Sequence, residues 1–127
     1  MDRSRADLLR RLLPELRDGT WAFTCVPPDT DLAGLDVVAT MREHEGLTLV
    51  VPAAQALARG FPIALRCAWI TMTASTALDE IGITAAIAAA LADAGIPCNV
   101  IAGAHHDHVF VPYERASDAL FCLTQSD

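Results

Sequence analysis

The segment from Gly82 to Ala94 constrains this chain most, because its apolar pattern fits only a helix with two unlike apolar faces. Isoleucine or leucine recurs at positions 83, 87 and 91, and alanine recurs at 86, 90 and 94, each at the spacing of one helix face. Gly95 and Pro97 end the pattern. A face of small side chains lets a helix lie close to a sheet. The segment therefore predicts a helix packed on a β-sheet.

Strand and helix patterns alternate along the rest of the chain. Alternating side chains predict strands at 20–26 and 63–73, and short runs of β-forming residues predict strands at 36–43, 47–51, 98–102 and 109–112. Apolar residues at helical spacing predict helices at 4–17, 53–59 and from 113 or 114 to about Gln125. We expect Pro14 to kink or fray the end of the first helix. We also expect Gly46 to turn a hairpin at positive φ.

The order of these elements predicts an α+β fold. Residues 20–66 follow the order β-loop-β-β-α-β, and residues 67–125 follow β-α-β-β-α. This repetition indicates two ferredoxin-like halves of βαββαβ type, with antiparallel sheets and helices on one face. Residues 1–66 are expected to form a helix plus a degenerate half, and 67–127 the second half. Since no flexible linker intervenes, we expect one compact unit.

Charge excludes several classes of partner. The 127 residues include 9 basic and 16 acidic ones, for a net charge of −7, and every basic residue is arginine. An acidic chain without a basic cluster is repelled by phosphate backbones and by anionic bilayers, so we expect neither nucleic acid nor a membrane as a partner. The longest apolar stretch, 81–92, is too short to span a bilayer. The N-terminus lacks the pattern of a signal peptide.

The four cysteines, at positions 25, 67, 98 and 122, lie in apolar segments without C-x-x-C spacing. We interpret them as buried thiols in a reducing cytosol, and not as disulfides or zinc ligands, so a cytoplasmic location is expected. No cation stands beside them to activate a nucleophile. The sequence also lacks a G-x-S-x-G elbow and a phosphate-binding loop. The sequence thus shows none of these catalytic motifs.

The C-terminal half resembles an ACT domain, a small ferredoxin-like regulatory module that binds amino acids or similar metabolites. The resemblance rests on the strand at 67–73, on Gly82 at the start of the next helix, and on Ala94-Gly95-Ile96 before a strand that contains Asn99. It implies that both halves are ACT-like.

Residues 8–123 also resemble an uncharacterised bacterial family of small tandem-ACT proteins. Two stretches, 39–50 and 105–112, carry this wider resemblance. The chain departs from that family's pattern at His44, where an acidic residue is usual, and at Ala104, where an aromatic residue is usual.

The resemblance implies a ligand site at the start of the helix that follows Gly82. In ACT domains, ligands bind near this junction and against the second strand, often with a neighbouring copy. Carried over, this indicates Gly82, Ile83, Thr84, Asn99 and Val100. A helix N-terminus favours a carboxylate, and Asp79 or Glu80 could pair with an ammonium group. The resemblance therefore implies a protein that is not an enzyme, with an amino acid or related metabolite as its ligand, and we expect a homodimer. The alternative is a simple helix start whose acidic residues complement the helix dipole.

A second candidate site is the run His105, His106, Asp107 and His108. In an extended segment, alternate members of the run point the same way, so either pair could bind Zn²⁺ or another divalent metal. Further ligands would have to come from a hairpin that contains Glu43, His44 and Glu45. The alternatives are a polar hairpin tip, a contact with an organic ligand or partner protein, and acid–base catalysis in a small enzyme.

The third cluster is the hairpin itself, where Arg42 stands beside Glu43 and Glu45. An arginine can hold a ligand carboxylate through two parallel hydrogen bonds. The alternative is a solvated turn with weak local ion pairs. We expect no cofactor, apart from the divalent metal that the histidine run could bind.

Overall fold

The computed structural model describes residues 3–124, which separate into two compact units. The central unit comprises Gly19–Cys67, and the terminal unit comprises the residues up to Asp18 together with those from Ala68 onward. The helices are α1 (Arg3–Leu12), α2 (Ala53–Arg59), α3 (Ile83–Asp93) and α4 (Ala116–Thr124), the last preceded by a 3₁₀ turn at Tyr113–Arg115. The strands are β1 (Pro14–Leu16), β2 (Trp21–Val26), β3 (Ala39–Glu43), β4 (Gly46–Pro52), β5 (Leu65–Met72), β6 (Asn99–Ala102) and β7 (Asp107–Pro112).

The central unit is a ferredoxin-like half without its first helix. Its strands lie in the order β3-β4-β2-β5, and only the first residues of β5 take part. Alternate residues of β2 are buried, because one face of the strand covers the core. That core consists of Ala22, Val26, Leu49, Val51, Ala53 and Ala56.

Residues 27–38 form a loop where a complete half would have a helix. Pro27, Pro28 and Gly34 disfavour a helix there. The guanidinium of Arg59 holds the loop by donating to the carbonyl oxygens of Asp31, at 3.2 Å, and Ala33. Residues 27–38 therefore connect β2 to β3 without a helix.

The terminal unit is a complete ferredoxin-like half whose fourth strand comes from the N-terminus. Its strands lie in the order β1-β5-β7-β6. Strand β1 pairs with β5 in antiparallel register, Pro14 opposite Met72 and Leu16 opposite Ile70. Helices α1, α3 and α4 contribute to one core with the same face of β5. Together the two units confirm the predicted α+β fold. Helix α1 groups with residues 68–124 in space, whereas the sequence assigned it to the N-terminal half.

The prediction of one helix over 4–17 is wrong. Helix α1 ends at Leu12, and β1 begins two residues later. Leu13 has a φ of 55°, the left-handed conformation, which reverses the chain direction. Pro14 is the reason, because a proline disfavours helical geometry in the residue before it and has no N–H to donate.

The remaining boundaries differ from the predictions by a few residues. Strand β3 begins at Ala39 and not at 36, although Val38 already donates to the carbonyl of Val50 at 2.8 Å. Strand β7 begins at Asp107 and not at 109, so half of the histidine run lies on a strand. Gln125, the expected end of the last helix, lies outside the described residues. In the part of the chain that the structure describes, each helix falls short of the length and apolar character that a membrane span requires.

Replacing Gly46 with alanine is expected to destabilise the chain more than replacing Gly60. Gly46 has a φ of 151°, and a Cβ there would lie 2.6 Å from the carbonyl oxygen of Val26. Gly60, with a φ of 70°, has no heavy atom within 4 Å of the same position. Gly60→Ala should cost about 1–2 kcal/mol of unfolding free energy through backbone strain alone. Gly46→Ala should cost roughly 3 kcal/mol or more, because the backbone of β2 must move. Urea unfolding measures both, and equal losses would contradict the steric argument.

Candidate functional site

Helix α3 begins after Gly82, which has a φ of 93°, a conformation that residues with a Cβ rarely adopt. A Cβ built at this position has no heavy atom within 4 Å. No side chain of the described residues caps the start of α3. The first N–H groups of the helix are therefore open to an anion.

The two acidic residues before Gly82 differ in whether their carboxylates are free to contact a ligand. Glu80 accepts a hydrogen bond at 3.0 Å from the backbone N–H of Ala77, which uses its carboxylate to close a turn. Asp79 is exposed. The side chain of Ile83 is only 6% exposed and packs in the core, so only the backbone N–H of this residue could contact a ligand. The side chain of Thr84, in contrast, is exposed.

The two candidate residues on β6 lie on opposite faces of the strand. Asn99 pairs with Phe110 and Val100 with Val109. Val100 packs against the core under the helices, and successive residues of a strand point to opposite faces. Asn99, which is exposed, therefore points away from the helix layer. The structure brings Gly82, Ile83 and Thr84 together but does not place Asn99 and Val100 on one face.

Asp107 is buried and faces the loop between β5 and α3. Its Oδ2 accepts a hydrogen bond at 2.9 Å from the hydroxyl of Thr76, and both residues are buried. The backbone N–H of Thr76 donates to the carbonyl of His105 at 2.8 Å. The carboxylate of the run is therefore engaged inside the protein.

His106 and His108 carry their ring protons on different nitrogens. Nδ1 of His106 lies 3.1 Å from the carbonyl oxygen of Met72, which can only accept, so this nitrogen carries a proton. Nδ1 of His108 accepts a hydrogen bond at 3.0 Å from the indole N–H of Trp69, which can only donate. In its neutral form, His108 therefore carries its proton on Nε2.

A set of side chains that the sequence did not single out surrounds His108. Arg17 lies with its guanidinium carbon 3.9 Å from the centre of the Trp69 ring and donates to Thr71 Oγ1 at 2.8 Å. Thr71 Oγ1 is 3.2 Å from His108 Nδ1. Burial, then the positive charges of Arg17 and His106, lower the pKa of His108, and the negative charge of Asp107 opposes them. The sequence could not reveal this set, because Arg17 meets Trp69 and Thr71 only through tertiary structure.

The structure does not assemble the run into a chelate. Within residues 3–124, no group of three or more His, Cys, Asp or Glu side chains converges in a way that could hold a metal ion. His105 is exposed, and Asp107 is directed to Thr76. The hairpin residues Arg42, Glu43, His44 and Glu45 are all exposed and belong to the central unit, where Glu43 accepts a hydrogen bond from Thr48.

All four cysteines are free thiols. The expectation that all are buried is wrong, because Cys25 is exposed and Cys98 and Cys122 are half-buried. Cys25 lies on the face of β2 that points away from the core of the central unit. Burial raises the pKa of Cys67 to about 12 and also raises the pKa values of Cys98 and Cys122. These three thiols are therefore poor nucleophiles.

The terminal unit also contains a cavity of about 390 Å³ where α1 meets β1, lined by Arg10, Leu13, Pro14, Glu15, Thr73 and Thr124. The sequence did not predict it, because it depends on the chain reversal at Leu13. Arg10 already forms an ion pair with Asp7.

The chain is expected to lose stability on acidification through His108. Its pKa is lower in the folded chain than the ordinary value of 6.5, so the unfolded chain binds more protons as the pH falls below about 6.5. The free energy of unfolding therefore falls as the pH drops from that value through the folded pKa. Urea unfolding between pH 7.5 and 5 should show a smaller loss for His108→Gln than for the wild type. His44→Gln, at an exposed turn, is the control and should keep the wild-type loss. Identical pH dependence in the wild type and His108→Gln would contradict this account.

Comparisons with known proteins agree with this architecture. The ACT domain family matches residues 3–68 and again residues 64–125. A crystal structure of a protein of unknown function from Vibrio cholerae, described as a possible transport protein, is 42% identical, with a TM-score of 0.85 over 94% of this chain and 93% of that chain. A comparison with curated proteins finds no match.

Two more distant structures show the same fold. The ligand-free regulatory subunit of aspartate kinase from Thermus thermophilus is 17% identical, with a TM-score of 0.70 over 90% of this chain and 95% of that one. Aspartokinase alpha and beta subunits give 12% identity and a TM-score of 0.64 over 89% and 95%. The two family matches together cover nearly all described residues, and the structure contains two ferredoxin-like halves. This chain therefore belongs to the ACT domain family and carries two ACT domains in tandem.

Proposed function

We propose that this protein is a non-catalytic regulatory module that binds an amino acid or a related metabolite at the start of α3. Membership of the ACT family and the fold shared with aspartate kinase regulatory subunits support a regulatory, small-molecule-binding role. The observation that carries the proposed position is the uncapped start of α3 beside Gly82, where the left-handed backbone leaves open space.

The ligand would use groups that the protein itself does not engage. Its α-carboxylate would accept hydrogen bonds from the first N–H groups of α3, an interaction worth about 0.3–1 kcal/mol at an exposed helix end. Asp79 would pair with the α-ammonium group. Glu80 is less suited to this role, since its carboxylate already accepts from Ala77.

Binding would act by shifting a population of conformations or subunit pairs, without breaking a bond. Three half-buried or buried thiols with raised pKa values are consistent with a non-catalytic protein. A homodimer is part of the proposal, because ACT domains often oligomerise. A cytoplasmic location is also part of it, and free thiols are its support.

Each chain would offer one such site. In the terminal unit, α3 connects the first and second strands of the half, β5 and β6. In the central unit, the corresponding connection between β2 and β3 is the loop over 27–38. Without a helix at this position, the central unit has no equivalent set of free N–H groups.

The proposal is tested first by thermal unfolding with amino acids and related metabolites, each at millimolar concentration and with EDTA present. Trp21 and Trp69 provide an intrinsic fluorescence signal. A ligand at 100 times its Kd should add about 2.7 kcal/mol, which is several degrees in Tm. If EDTA alone lowers Tm and no metabolite raises it, the histidine run and a bound metal become the better hypothesis.

Gly82→Asp is expected to abolish the stabilisation by the active metabolite, because it adds bulk and negative charge where the carboxylate would bind. Gly82→Asn adds similar bulk without charge and should weaken the affinity less. Gly95→Asp is the matched control, since Gly95 also has a positive φ, 72°, and open space. Affinities would be measured by calorimetry on folded protein. If Gly82→Asp binds as tightly as Gly95→Asp, the proposed position is incorrect.

The binding stoichiometry is expected to be one ligand per chain. Calorimetric titration of the wild type with the active metabolite, at a protein concentration well above Kd, measures this number directly. Two equivalent ligands per chain would mean that the loop over 27–38 binds as well as a helix start does, contrary to the proposal.

A further inference from the structure

Residues 77–82, which precede α3 and are here called the ligand segment, are exposed along their whole length but fixed at both ends. Residues 77–82 are all exposed, and the side chain of Ile81 is 98% exposed. The residues on either side are buried: Thr76 is 8% exposed and Ile83 is 6% exposed. The position of the segment therefore depends on what holds these two ends.

The two ends are held by different forces. Ile83 is fixed by apolar contacts as the first residue of α3 in the core. Thr76 is fixed by two hydrogen bonds, from its N–H to the carbonyl of His105 and from its hydroxyl to Asp107 Oδ2. Apolar contacts tolerate small displacements, whereas a buried hydrogen bond to a carboxylate has a defined length and direction.

The same hairpin makes a further contact just before Thr76. Nδ1 of His106 lies 3.1 Å from the carbonyl oxygen of Met72 and 3.4 Å from that of Ala74. Three consecutive residues of the β6–β7 hairpin, His105 to Asp107, therefore contact the chain between the end of β5 and Thr76.

From these contacts we propose that Thr76 and Asp107 are positioning residues for the ligand segment 77–82. This inference rests on the proposed function, because it assigns to these residues the task of holding that ligand site. They would not touch the ligand. Their hydrogen bond would hold the segment in the conformation in which the α3 N–H groups and Asp79 can act together, so that binding does not have to order the segment first. A site that is ordered in advance binds more tightly.

Thr76→Val tests the role of the hydroxyl, because valine keeps the shape of threonine and cannot donate to Asp107. Thr76→Ser keeps the hydroxyl and should restore the wild-type behaviour. Thr30→Val is the matched control: Thr30 also donates its hydroxyl to a neighbouring group, the carbonyl of Pro27, but lies in the loop of the central unit.

The first readout is amide hydrogen exchange in the absence of any ligand. Thr76→Val should raise exchange about tenfold at residues 76, 77 and 80, whose N–H groups are hydrogen-bonded in this turn, while exchange in β4 and α4 stays at the wild-type level. Thr76→Ser and Thr30→Val should leave exchange at these three positions unchanged. Unchanged exchange in Thr76→Val, or an equal rise throughout the chain, would overturn the inference.

The second readout is the affinity for whichever amino acid in the metabolite panel stabilises the wild type. Thr76→Val should weaken this affinity about tenfold, and Thr76→Ser should retain it. Full affinity in Thr76→Val, with raised exchange, would overturn the positioning role. If no amino acid in the panel binds the wild type, the proposed function fails, while the exchange experiment still decides whether Thr76 and Asp107 hold the segment.

Discussion

The pairing of β1 with β5 is the interaction on which the terminal unit depends. Three residues, Pro14–Leu16, lie opposite Ile70–Met72 and complete a four-stranded arrangement that the C-terminal residues alone leave one strand short. The backbone of the connecting Leu13 adds two contacts, since its carbonyl accepts from both the N–H and the hydroxyl of Thr73. With β1 in place, α1 contributes Leu9 and Leu12 to the same core as α3 and α4. A short strand thus joins the N-terminal helix to a half that is otherwise built from residues after 67.

The candidate site depends on this frame through the loop that leaves β5. Met72 ends the strand, Thr76 is anchored to the hairpin of β6 and β7, and Gly82 permits the turn into α3. Each step uses a different kind of interaction: strand pairing, a buried hydrogen bond and a glycine conformation. The result is an exposed segment with fixed ends, a geometry that suits recognition of a small ligand by backbone groups.

The sequence predicted the fold class and α3 correctly, because these depend on periodicity and on glycine and proline positions. It failed at Pro14, where the helical spacing of Leu8, Leu12 and Leu16 outweighed the local effect of the proline. It could not show that Asp107 turns inward to Thr76 or that Arg17 lies over Trp69, because these contacts join residues far apart in sequence. The histidine run resembled a metal site because the sequence places four possible ligands next to one another. The direction of each side chain, however, depends on strand β7 and on the hydrogen bonds of His106, Asp107 and His108.

The origin of β1 at the start of the chain has a consequence for how this protein folds as it is synthesised. The central unit is contiguous, so all its strands and its helix are available once Cys67 has been made. In the terminal unit, Pro14–Leu16 pair with Ile70–Met72, and all residues of the central unit lie between these two strands in the sequence. Contacts between residues so distant in sequence form slowly. The apolar face of α1 therefore stays uncovered until α3 and α4, which pack against it, have been synthesised. During this interval, exposed apolar surface makes the nascent protein prone to aggregation.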